Sequence, residues 1–304
     1  MSGIGLKRYE LSIIVPVGIN TDNFANLKSW IDFDSQGFVE IIIVNDVQDE
    51  VTSEALYKFL EFSKTNEIIL IENSYGSPGA ARNAGMKIAR GNWITFWDSD
   101  DLPKISEVVV FLKKLDISDQ NNVIIGQFDL LRVTSGKKIS RNYSDMEIGT
   151  VALNPGIWRM LFKSDLLENI TFNNHKMGED QNFLTTIDLP SQRILYADII
   201  FYTYCLGVDG QLTQRKSAID EILKSAKFTL MNLKLCNVQS IQFNSILLVR
   251  QIITGLTRTS ISIRFASFIL LIKAFSTSNF KIKREILSIL LNLFPKNRKS
   301  RISK

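Results

Sequence analysis

A chain of 304 residues, 45% of them hydrophobic and with a net charge of +5, is long enough for one large domain or two smaller ones with a real core. Its two cysteines, Cys205 and Cys236, make no metal-type spacing and no disulfide framework, which fits a reducing compartment. The first residues lack the apolar core and cleavage site of a signal peptide, and no run of about 18 uncharged apolar residues appears, so neither export nor a membrane span is expected.

The first hundred residues alternate between two periodicities. Residues 11–17, "LSIIVPV", form a short apolar run rich in β-branched residues, and residues 23–33 space Phe24, Leu27 and Ile31 as a helix. "VEIIIVN" at 39–45 predicts a second strand, and Leu56, Phe59 and Leu60 mark a helix over 54–63. "EIILIE" at 67–72 predicts a third strand. "SPGAARNAGMKIARG" at 77–91 opens with Pro and closes with Gly, as helices do. "NWITFWD" at 92–98 predicts a fourth strand. Apolar strands alternating with helices predict an α/β fold with a parallel sheet covered on both faces.

Beyond residue 120 the pattern changes. Residues 123–133 and 193–207 predict longer, antiparallel strands. "NNHKMGEDQNFLTTI" between them predicts a loop feeding a helix that starts near Glu179 and Asp180. From Ile219 onward helices are expected. There the charge also changes. Residues 221–304 carry 15 Lys and Arg against two acids, a balance of +13, whereas the 220 residues before them hold 21 basic and 29 acidic side chains, a balance of −8. The two parts are expected to meet different partners.

In parallel sheets ligands gather at the carboxyl ends of the strands. Strand one ends at Pro16, strand two at Asn45 and Asp46, and strand four at "FWDSDDLPK", which crowds Asp98, Asp100 and Asp101 together. Carboxylates that close repel one another unless something positive joins them. The helix carrying Arg82 and Asn83 begins near the same edge. Carboxylates, an arginine and a helix N-terminus on one rim suit a metal ion and a phosphorylated nucleotide. A divalent cation would let carboxylates and a diphosphate share the site.

The segments "SIIVPV", "IIIVNDVQDE", "GSPGAARNAGMKIARGNWITFWDSDD" and "KMGEDQNF", in this order over roughly residues 9–215, resemble a family-2 glycosyltransferase with a GT-A fold. The resemblance implies a mostly parallel nucleotide-binding sheet flanked by helices, with a smaller antiparallel acceptor-side portion. The catalytic domain would span 1–218 and a basic amphipathic helical C-terminal region 219–304. Roles follow residue by residue. Pro16 and Val17 would form part of the nucleotide pocket wall, and Asp46 would contact the base or ribose. Its neighbour Asn45 stands where the family usually has a second Asp. Arg82 would lie near the diphosphate. In the D-x-D motif Asp98 would meet the ribose or a metal-bound water, and Asp100 would bind Mn2+ or Mg2+. Asp180 would be the catalytic base, with Glu179 beside it. The lone histidine, His175, is a candidate further metal ligand, Arg215 a diphosphate partner, and Trp158 an acceptor-side aromatic.

Each residue also has a plainer reading. Asp101 is assigned mainly to capping the helix after Pro103. Arg82 would then be a surface helix residue, Glu179 and Asp180 caps, Trp158 core, and Arg215 part of a solvated basic turn. The function expected is inverting transfer of a sugar, most simply from a UDP-sugar, to a glycan or lipid-linked glycan, as in capsule or lipopolysaccharide assembly. A sugar nucleotidyltransferase would need a basic Gly-rich loop after strand one, where "VPVGINTDN" has one Gly and no cation. A catalytically inactive glycan-binding scaffold is the other alternative. In the C-terminal region, Ile246, Val249, Ile253 and Leu256 share one helix face. Ile282, Ile286, Ile289, Leu290 and Leu293 share another, ahead of "PKNRKSRISK". Such faces suit an anionic membrane surface, a bundle against the catalytic domain, or a homodimer. No nucleic-acid motif accompanies the charge. A cytoplasmic enzyme, peripheral on the inner face of the plasma membrane, is the location expected.

Overall fold

A computed structural model of the chain describes residues 9–18, 24–46, 50–61, 67–116, 120–141, 147–208, 211 and 215–293. β1 (Tyr9–Val17), β2 (Val39–Asn45), β3 (Glu67–Glu72) and β4 (Gly91–Phe96) form the parallel half of one sheet, in the order β3-β2-β1-β4. α1 (Ala25–Ile31), α2 (Glu50–Glu61) and α3 (Pro78–Met86) connect them. The centres of β1 and β2 are apolar because both faces are covered. Leu11, Ile13, Val15, Ile41 and Ile43 enter the core on one side, and Ile14, Ile42 and Val44 that on the other.

β5 (Leu102–Pro103) and α4 (Ile105–Lys114) follow, then β6 (Val123–Arg132), β7 (Lys137–Arg141), α5 (Ile148–Leu153), β8 (Met160–Lys163), α6 (Glu179–Thr186) and β9 (Ile194–Leu206). The sheet continues β4-β8-β6-β9-β5, with β7 on the free side of part of β6. β8 runs antiparallel to β4 and β6, and β5 antiparallel to β9. The two long strands, expected to be antiparallel, pair in parallel from Val123 opposite Ile194 to Arg132 opposite Leu206. Among the described residues the excursion between them holds two strands and two α-helices. It is ample for the crossover that a parallel pair requires, about a dozen residues or more.

α7 (Lys216–Ile219), α8 (Ile222–Leu235), α9 (Ser240–Arg258), α10 (Ile261–Thr277) and α11 (Phe280–Leu293) close the described chain. Leu223, Leu230, Leu248, Ile252, Ile282 and Ile286 build their shared core. Phe243, Ile246 and Leu247 of α9 belong instead to the core under the sheet. The apolar faces singled out in the sequence on α9 and α11 therefore point largely inward, into a bundle. The terminal "PKNRKSRISK" lies outside the described residues.

Candidate active site

The parallel register sets Val17 opposite Asn45 and Ile14 opposite Phe96, so Pro16, Asp46 and Asp98 emerge at one sheet edge. Asn45 is buried and donates from Nδ2 to Glu72 Oε1 at 3.0 Å and Ser53 Oγ at 3.1 Å. A second Asp at this position would face Glu72 with like charge, which gives a physical reason for the amide. Asp46 Oδ1 accepts from the Gly76 amide at 2.9 Å and from that of Tyr75. It thereby fixes the loop that enters α3, where Gly76 takes φ +74° and Ser77 Oγ caps Ala80 at 3.3 Å.

The three aspartates are held in three different ways. Asp98, 29% exposed, pairs with Arg82 Nη2 at 2.9 Å. Asp100 accepts from Gln211 Nε2 at 3.1 Å, and its backbone carbonyl accepts from Asn26 Nδ2 at 2.6 Å. Burial and the neighbouring Asp98 push Asp100 up to about 6. Asp101 does not cap α4, whose N-cap is Lys104. It is wholly buried, accepting from Cys205 N at 2.6 Å and from the Tyr202 hydroxyl at 2.9 Å, while that hydroxyl accepts from Asp98 N at 3.0 Å. Asp101 therefore ties the motif to β9 and does not face the rim.

Among the described residues no three His, Cys, Asp or Glu side chains assemble into a metal cage. Asp98 and Asp100 offer hard oxygen donors, and the one side-chain partner given for the Asp100 carboxylate, Gln211, is neutral. This donor set fits Mg2+ or Mn2+ held by one or two carboxylates together with substrate phosphates.

Asp180 and Glu179 open α6 directly after Gly178, whose φ of +78° turns the chain into the helix. Neither acts as a side-chain cap. Glu179 is buried and accepts from Arg82 Nη1 at 2.7 Å. Arg82 is itself buried, not on the surface. Burial opposes its charge, but Asp98 and Glu179 outweigh that and hold it firmly protonated. Asp98, Arg82 and Glu179 thus make one chain from the β4 rim to α6. Asp180 lies at its end, raised to about 7 by burial and then by Glu179.

The loop before α6 is fastened from α8. Ser225 Oγ donates to Met177 O at 2.6 Å, Thr229 Oγ1 to Asn182 Oδ1 at 3.1 Å, and Lys176 N to Glu221 Oε2 at 2.8 Å. His175 Nδ1 lies 3.1 Å from Ser225 Oγ and 3.2 Å from Asn182 Nδ2, at the seam of α6 and α8. From α9, Asn244 Oδ1 accepts from Thr185 Oγ1 at 3.0 Å.

The sequence profile described as Glycosyl transferase family 2 matches residues 23–177, just over half of the chain. The chain belongs to this family. Its sheet and helices are those of a family-2 glycosyltransferase of the GT-A type. Over 217 residues it is 28% identical to Glycosyltransferase GlyA of Streptococcus pneumoniae, spanning 64% of this chain and 30% of that protein. Over 216 residues it is 28% identical to the poly(ribitol-phosphate) beta-glucosyltransferase of Bacillus spizizenii, spanning 66% of this chain and 33% of that one. The chain thus spans about a third of the length of these curated relatives. Among solved structures, S. aureus TarS 1-349 in complex with UDP-GlcNAc superposes with a TM-score of 0.59 at 15% identity, over 93% of this chain and 92% of that one. The mannosyltransferase PcManGT from Pyrobaculum calidifontis, in complex with GDP-Man and Mn2+, gives 0.60 at 14% identity, over 94% and 81%. At such identities the likeness is one of fold.

In this family-2 chain Trp158 is mostly buried. It stacks on Tyr202 with centroids 4.6 Å apart and on Tyr204 at 5.6 Å, and packs edge-on against Phe128 at 4.9 Å. The stack ties it to β9, whose Tyr202 also holds Asp101. Arg215 lies at the start of α7, after a stretch of which only Gln211 is described. Sequence reading missed Gln211, Tyr202, Asn26 and Ser225. All four hold site residues from positions distant in sequence, and nothing in their own neighbourhoods marks them.

Proposed function

We propose that the chain is an inverting glycosyltransferase that moves a sugar from a nucleotide-sugar, UDP-linked in the first instance, to a hydroxyl of a glycan or lipid-linked glycan in cell-surface polysaccharide synthesis. The continuous link from Asp98 through Arg82 to Glu179 carries this reading, because it sets a donor rim and a candidate base in fixed relation. The named activity of the Bacillus spizizenii relative and the UDP-GlcNAc bound by TarS support a UDP-sugar and a surface-polymer acceptor.

Pro16, Val17 and Asp46 would line the nucleoside, with Arg215 reaching the diphosphate. Asp100, with Asp98, would hold Mg2+ or Mn2+, which when bound supplies positive charge at the leaving diphosphate. Arg82 orients Asp98 and Glu179. His175 would offer a metal its Nε2, since Asn182 and Ser225 engage its Nδ1. Asp180 would take the acceptor hydroxyl proton as that oxygen forms its bond to the anomeric carbon. The anomeric carbon–phosphate oxygen bond breaks with its electrons leaving on the nucleoside diphosphate. A single displacement of this kind inverts the anomeric centre. A base poised near 7 suits neutral pH. Trp158 and Glu179 belong to the acceptor side. The basic C-terminal region would bring the site to an anionic membrane that carries the acceptor.

Nucleotide release from a panel of UDP-sugars and GDP-mannose, with Mn2+ and a polymer acceptor, tests the reading. Turnover of one donor that Asp180→Asn abolishes supports it. Nucleotide binding with no turnover of any donor would instead favour the glycan-binding scaffold.

A further inference from the structure

α10 is packed the wrong way round for a helix of a water-soluble bundle. Its inward side offers Ser267, Leu270 and Ala274. The seat is close: a Cβ on Gly255 of α9 would lie 2.2 Å from Ser267 Oγ. The large side chains turn outward. Ile261 is 84% exposed, Phe265 67%, Phe268 51%, Ile269 49% and Ile272 53%. With 3.6 residues per turn, these five fall on one outer face. Arg264 and Lys273, both exposed, flank that face on opposite sides. An apolar centre edged by cations is the pattern of a helix lying in a lipid–water interface.

We propose that α10 is an in-plane membrane anchor. The face of Ile261, Phe265, Phe268, Ile269 and Ile272 would enter the outer acyl layer of an anionic leaflet, with Arg264 and Lys273 at lipid phosphates. The proposal deepens the membrane-side reading above and is independent of the transfer chemistry. No described helix is long and apolar enough to cross a bilayer, so a membrane-bound α10 would lie in the interface. Charge selects a bilayer over a second copy of the chain. Around this face α10 and α11 expose Arg264, Lys273, Lys281 and Arg284. Two such faces meeting would bring that charge against itself, whereas an anionic leaflet neutralises it. α11 adds exposed Phe280, Leu287 and Leu291 beside exposed Lys281 and Arg284.

The test is co-sedimentation of the full chain with vesicles of phosphatidylcholine alone, or of phosphatidylglycerol and phosphatidylcholine in equal parts. Binding to the anionic vesicles is expected to be at least about tenfold tighter. It should weaken from 0.1 M to 1 M salt, as the Debye length falls from about 10 Å to about 3 Å. Phe265→Ser with Phe268→Ser should lower partitioning about tenfold or more while leaving nucleotide binding and melting unchanged. In a Phe268→Trp variant, lipid should shift the emission of the added tryptophan to the blue. Partitioning that the double serine variant leaves intact would overturn the proposal, as would binding to neither vesicle. A concentration-dependent dimer dissolved by the same substitutions, without vesicle binding, would assign the face to a second copy. Loss of turnover with vesicle binding retained would count against the transfer chemistry only.

Discussion

Glu179 Oε1 lies 2.7 Å from Arg82 Nη1, which joins the helix after β3 to the helix that carries the candidate base. The other end of the same guanidinium holds Asp98 at 2.9 Å. Arg82→Ala would leave two carboxylates facing each other without their cation. Breaking a buried pair on one side costs about 3 kcal/mol or more. The variant should lose about that much in urea unfolding near neutral pH, and less in acid, where the carboxylates are protonated. An unchanged midpoint would mean that these pairs do not form.

Asp180→Asn should keep donor affinity and lower transfer by about 10²–10⁴-fold, the usual worth of a general base. In the unaltered enzyme kcat should rise with pH and level off above about 7, because only the ionised carboxylate accepts a proton. Burial and Glu179 place that midpoint so high. The variant should lose this limb of the profile. A residual rate that keeps the same limb would assign it to another group.

The same carboxyl has a stability signature of opposite sense. Its pKa rises from an ordinary 3.8 to about 7 on folding, so the folded chain holds the proton more tightly. The resulting stability is fully present below about 4 and is lost as pH climbs through about 7. Asp180→Asn carries no such penalty. Its melting temperature relative to the parent should therefore rise between about pH 4 and pH 7 and level off above that. A difference that is flat with pH would show that Asp180 ionises normally.

Asp100→Ala should abolish Mn2+-dependent binding of the nucleotide-sugar, measured by calorimetry with and without the metal. Asp98→Ala should weaken donor binding less at the metal, but it also frees Arg82 from one partner and so lowers stability. Donor binding by Asp100→Ala that remains as metal-sensitive as the parent's would remove Asp100 from the ligand set.

The rim that gathers Pro16, Asp46 and Asp98 was legible because it depends on local patterns. Continuous apolar runs mark strands buried on both faces, and their ends bring Pro16, Asp46 and Asp98 to one edge. Asp101 was misread because its partners, Tyr202 and Cys205, lie about a hundred residues further on, and a Pro two positions later looks like a helix start. The direction of β9 against β6 was misread because strand direction is set by the path between strands, which their composition does not record. α10 was not singled out because residues 261–277 are apolar on nearly every side. Only packing on Gly255 decides which side faces out.

The fastening of α6 and the loop before it from α8 and α9 has a practical consequence for anyone cutting or recombining this chain. Composition and charge suggest a seam at residue 218. A cut there would remove Glu221, Ser225 and Thr229, which hold Lys176, Met177 and Asn182. It would also remove Asn244, the partner of Thr185, and Phe243 and Leu247 from the core beneath the sheet. A chimera joined after Arg258, at the end of α9, keeps every one of these contacts. The smallest transplantable unit of this chain therefore extends at least through α9, and α10 and α11, whose Leu270, Ile282 and Ile286 share a core with Leu248 and Ile252 of α9, are best moved with it.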